Sequence, residues 1–174
     1  RIFAALVVVM SLLAGCVTYN PTIERSSVLD KNGSYLCGRF YLTEQVGDLG
    51  VALKIVNADT KKAYYIRLQK NPDNAISAIS VEPGKYKIEK VIFAYAYGEK
   101  GGEKDFVSKY DKLNSTFEIV AGESVYIGDY IGFATTAYSS YSLGISSILD
   151  NFESTKKLIT DKYIVESTFR SIFD

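Results

Sequence analysis

Apolar residues in this chain recur mostly at every second position. Leu36, Phe40 and Leu42 share one face of a first segment, with Gly38 between them. Leu49, Val51, Leu53 and Ile55 alternate with Gly50, Ala52 and Lys54 in a second, and Tyr64, Ile66 and Leu68 alternate with Tyr65, Arg67 and Gln69 in a third. Successive side chains of a strand point to opposite faces of its sheet, so a period of two with one apolar face predicts half-buried strands. Gly47-Asp48 and the run Asn57 to Lys62 supply turns between them, and the latter predicts a hairpin. After the turn Lys70 to Asn74 comes a short run, Ile76 to Val81. Glu82-Pro83-Gly84 then leads into a long strand with Tyr86 and Ile88 on one face and Lys85, Lys87 and Glu89 on the other. From Val91 to Tyr97 both faces are apolar or aromatic, as in a strand covered on both sides. Gly98 to Asp105 predicts an exposed loop. Phe117 and Ile119, then Val125 to Ile131, then Tyr141, Leu143 and Ile145 predict three more strands. The pattern predicts a mainly β protein, an antiparallel β-sandwich of seven to eight strands.

One period differs. Phe152, Thr155, Ile159 and Tyr163 fall on one stripe at helical spacing, with Lys156, Lys157, Asp161 and Lys162 elsewhere. Asp150 followed by Glu153 makes a capping box, so one C-terminal helix is expected around 151–163. The stripe predicts contact with the core rather than a partner groove.

At the other end, Ile2 to Leu13 is continuously apolar. A bilayer-crossing helix needs roughly 20 such residues, so this run matches a signal-peptide core instead. It closes on Leu13-Ala14-Gly15-Cys16, which resembles the bacterial lipobox. That resemblance implies cleavage before Cys16, a lipid on its sulfur, and Arg1 as the remainder of a basic leader. Val17, rather than an aspartate, follows the cysteine, and in the enteric pattern this points to the outer membrane. The expected organisation is a signal peptide over 1–15, lipidated cysteine and flexible tether over 16–33, and a single domain over 34–174. A flexible tether of that length would span roughly 20–25 Å.

Charge and composition narrow the function. Twenty basic residues balance twenty acidic ones, which argues against a nucleic-acid partner. There is no histidine, which excludes Ser-His-Asp and Cys-His catalysis and histidine-ligated zinc. With Cys16 lipidated, Cys37 has no disulfide partner, and its apolar neighbours favour a buried thiol over a reactive one. Gly98 to Gly102 lacks the Gly-Lys-Ser/Thr ending of a phosphate loop and leads into no helix.

Two motifs in order carry a second resemblance. Pro83-Gly84-Lys85-Tyr86 is a turn followed by a strand, and Phe117 to Asp129 reads as strand, turn, strand. Behind a lipobox they resemble uncharacterised bacterial lipoproteins with a carboxypeptidase-regulatory-like, or prealbumin-like, β-sandwich. The resemblance implies a fold and an envelope address, with no cofactor and no metal.

Asp129 could form a hydrolytic carboxylate pair with Glu118 or Glu123, or offer an oxygen ligand to calcium. A polar residue at a strand end explains it more simply, since no second carboxylate stands at a defined spacing. Fourteen tyrosines without a tryptophan supply the preferred binding surface, centred on Tyr95, Tyr97, Tyr126 and Tyr130. The expected function is therefore a lipid-anchored, non-enzymatic envelope module, with the membrane and a protein or glycan as partners. The alternatives are an assembly subunit of an envelope complex and a carboxylate-based glycan hydrolase.

Overall fold

The computed structural model describes residues 18–95, 100–137 and 140–174. The lipobox, Tyr97 and Tyr138 lie outside the described residues. The protein is mainly β, a sandwich of two five-stranded sheets with a helix near the C-terminus. In chain order the strands are β1 Val28–Leu29, β2 Tyr35–Gln45, β3 Gly50–Asn57, β4 Ala63–Arg67, β5 Ile76–Ser80 and β6 Gly84–Ala94. They continue as β7 Lys100–Asp105, β8 Phe117–Ile119, β9 Glu123–Ala137, β10 Ser140–Leu149, β11 Ile164–Val165 and β12 Thr168–Ser171. Helices α1 Pro72–Ala75 and α2 Asp111–Asn114 are single turns, and α3 spans Phe152–Lys162.

The first sheet runs β10-β9-β2-β5, with β12 beside the early part of β9. The second runs β4-β3-β6-β7, with β8 beside the start of β6. The β3–β4 hairpin forms as the alternation predicts, Leu53 opposite Ile66 and Ile55 opposite Tyr64. Between the sheets lie Leu36, Phe40 and Leu42 from β2, Val51, Leu53 and Ile55 from β3, and Ile127 and Tyr130 from β9. The opposite face of β2 is also covered. Tyr35 and Cys37 pack with Ile76, Ala78, Leu29 and, from the C-terminal helix, Ile159 and Tyr163. Three layers result: helix and N-terminal segment, first sheet, second sheet.

Four features depart from the sequence expectations. β2 and β12 pair with β9 in parallel, so the first sheet is mixed rather than antiparallel. Lys100–Asp105 is a strand, not a loop, because its backbone pairs with β6 from Lys90 to Ala94. Helix α3 begins on Asn151, which makes no side-chain cap; Asp150 Oδ1 accepts from Phe152 N at 3.3 Å instead. The fourth is the tether. Residues 18–33 are docked on the domain: Asn20 and Tyr65 exchange two bonds, Ile23 N donates to Ala78 O at 2.9 Å, and β1 pairs with β11. Leu29 is fully buried, and its apolar contacts act together with these backbone bonds to hold the segment on the domain.

Candidate functional site

Within β9 the chain carries a bulge. Cys37 stands opposite Tyr126, and the next pair is Arg39 opposite Asp129, so two residues of β9 face Gly38 alone. Gly128 sits there at φ 122°, a conformation L side chains rarely adopt. A Cβ on Gly38 would collide with Gly128 O, so the bulge needs a glycine on each strand. The extra residue resets the alternation. Ile127 and Tyr130, three apart, both enter the core between the sheets, while Tyr126 and Asp129, also three apart, both face α3.

This decides the fate of two predicted surface tyrosines. Tyr126 and Tyr130 are fully buried and offer no contact surface to a partner, contrary to the expectation. Tyr130 stacks on Phe40 at 5.6 Å and donates its hydroxyl to Ile127 O. Tyr126 packs against Phe152 and Phe173, donates to Asp129 Oδ1 at 3.0 Å and to Leu149 O, and accepts from Asn151 N. Burial raises the phenol of both well above the ordinary tyrosine value.

Asp129 is 2% exposed. Thr155 Oγ1 lies 2.8 and 3.1 Å from its two oxygens, and Asn151 Nδ2 donates at 3.2 Å. Burial is the dominant influence and raises this carboxyl above its ordinary value, against the opposing bonds from Thr155, Asn151 and Tyr126. The group fastens α3 to the first sheet. Neither of its proposed partners bonds to it. Glu123 accepts from Arg170 Nε at 3.0 Å and from Val120 N, and Glu118 is exposed on β8. The three carboxylates do not assemble into a hydrolytic pair. Among the described residues no three acidic or cysteine side chains gather closely enough to hold a metal ion. Cys37 is fully buried, and burial pushes its thiol up to about 12.

The one predicted tyrosine that is described and exposed is Tyr95, just past β6. Its ring meets that of Tyr141, 59% exposed on β10, with centroids 5.2 Å apart. A Cβ on Gly101 would run into the Tyr95 ring, so this glycine lets β7 pass beneath it. The pair joins the two sheets, and a groove of about 460 Å³ lies between β7 and β10. Val91, Phe93, Phe106, Leu143, Ile145 and Ile148 line it, and Lys104 and Lys109 border it. Five of these six apolar residues are only partly buried. The period-two signal Tyr141, Leu143, Ile145 had shown the apolar face of β10. What it lacked was any sign that β10 ends its sheet among the described residues.

The volume falls in the range of binding clefts, and its apolar lining with a few charged groups has their usual chemistry. Compared with family models, with curated proteins and with solved structures, the chain matches none.

Proposed function

We propose that this chain is a lipid-anchored, non-enzymatic envelope protein whose β-sandwich binds a partner along the open side between β7 and β10. The observation that carries the reading is the groove itself, where side chains packed against the core stand half exposed. Anchoring rests on the lipobox-like sequence at Cys16. Because the chain is docked from Asn20 onward, a lipid on Cys16 would hold the domain close to the headgroups of an outer membrane rather than on a long leash. The resemblance to lipoproteins with a carboxypeptidase-regulatory-like sandwich belongs to the same proposal. Its two motifs fall at the start of β6 and across β8, the Gly122 turn and β9.

The test places a photo-crosslinking phenylalanine derivative at Tyr141 in intact cells, with Lys157, exposed on α3, as the control position. A discrete adduct at 141 and none at 157 is expected, together with loss of the protein from the membrane fraction in Cys16→Ser. Equal labelling at both positions refutes the binding side. A Cys16→Ser protein that still sediments with membranes refutes the anchor.

A further inference from the structure

A sandwich of two open sheets has two open sides, and this chain treats them differently. On one side the edges are β4 and β5. The segment from Asn20 to Ile23 runs along both. Asn20 N donates to Tyr65 O at 2.9 Å and its Oδ1 accepts from Tyr65 N at 2.6 Å, on β4. Three residues on, Ile23 N donates to Ala78 O on β5 while its side chain packs on the buried cluster around Leu29 and Cys37. The backbone of this segment thus bridges the two edges on that side. On the other, β7 and β10 end their sheets, and among the described residues no strand pairs beyond them; Phe106 to Lys109 only line the gap between the two.

An uncovered edge offers backbone donors and acceptors to an incoming strand, and the groove beside it offers sockets for alternate side chains. The charges restrict the occupant. Lys104 Nζ sits 5.8 Å from the centre of the Phe93 ring and Lys109 Nζ 5.0 Å from that of Tyr110. Among the described residues neither is in an ion pair, while the nearby Asp105 is taken by Lys90 at 2.6 Å. Among the described residues the groove therefore presents two cations outside any ion pair, and the carboxylate that lines it, Asp105, is already held by Lys90.

We propose that the β7–β10 groove binds an extended acidic segment of a partner protein, which adds to the β10 edge, seats alternate apolar side chains over Leu143 and Ile145, and sets carboxylates against Lys104 and Lys109. The inference rests on the binding-module reading and names the partner's chemistry.

The experiment is a selection from a random decapeptide library displayed on phage, against immobilised protein carrying residues 16–174 with Cys16→Ser. Enriched peptides are then synthesised and mapped by hydrogen exchange. The expected winners alternate apolar and acidic residues and slow exchange at amides of 140–149. Their affinity should fall at least tenfold against Lys104→Glu/Lys109→Glu, whose unperturbed melting curve is the control for folding. N-methylating alternate amides on one edge of the peptide should abolish binding with its side chains intact. Basic or unpatterned winners, or binding indifferent to the charge reversal, overturn the proposal. Winners that protect a different surface overturn it while leaving the binding-module reading standing. No enrichment over a blank surface counts against both. Laurate filling the groove and competing with no selected peptide would assign the site to anionic amphiphiles instead.

Discussion

Thr155→Val isolates the bond that ties α3 to the sheet. Valine keeps the shape of threonine and puts a methyl group in place of the hydroxyl of Thr155, a residue 1% exposed whose Oγ1 lies within bonding distance of both oxygens of Asp129. A hydrogen bond to a charged group contributes about 1.5–3 kcal/mol net, and its loss leaves a buried acceptor short of a partner. In a domain of this size each kcal/mol moves the melting temperature by about 2–4 °C, so a fall of about 3–12 °C is expected. Asp129→Asn behaves differently, and pH separates the two. Burial raises the Asp129 carboxyl in the folded protein. A raised acid keeps its proton longer than in the unfolded chain, so its stabilising contribution is complete below the unfolded value, near pH 4. That contribution is lost as pH rises through the folded value. Asparagine does not titrate. The stability of Asp129→Asn relative to the parent should therefore improve as pH climbs from about 4 to 7. Guanidinium unfolding followed by far-ultraviolet circular dichroism at several pH values measures both effects. If the parent instead gains on Asp129→Asn with rising pH, the carboxylate is stabilised as an anion and the assignment of burial as the dominant influence is wrong.

Other outcomes follow from the same packing. Leu29→Ala should cost about 2–5 kcal/mol, since the side chain is fully buried against Cys37 and Ile159; a loose tether over 16–33 would show no loss in the same melt. Cys37 should resist a maleimide at pH 8 in native protein and react on unfolding, because its thiol is buried and raised to about 12; prompt native labelling would contradict the packing beneath α3. Gly122→Ala should destabilise by about 1 kcal/mol or more, as φ is 84° and a Cβ would press on Lys31 O; an unchanged melting curve would mean the β8–β9 turn is looser than described.

Local pattern was enough to reveal most strands and the helix. The alternations from Leu36 to Leu42, Leu49 to Ile55 and Tyr64 to Leu68 lie on β2, β3 and the β4 segment, and the stripe Thr155, Ile159, Tyr163 faces inward from α3. These signals are readable because a face buried within one element repeats at that element's own period. Cys37 was legible as a buried thiol from its residue type rather than its period, since free cysteine is usually buried and the alternation puts it on the other face from Leu36. What the tertiary structure decided depends on partners distant in sequence. Tyr126 and Asp129 share a face only because the Gly128 bulge, opposite β2, shifts the alternation by one, so period two alone sends them to opposite sides. Lys100–Asp105 has a loop's composition and becomes a strand because β6 supplies its hydrogen bonds. The segment around Leu29 has no period of its own and is held by β11 and α3, more than a hundred residues later. The groove is of the same kind: Leu143 and Ile145 mark an inward face, but only the order of strands places β10 at an edge, with its apolar side half uncovered.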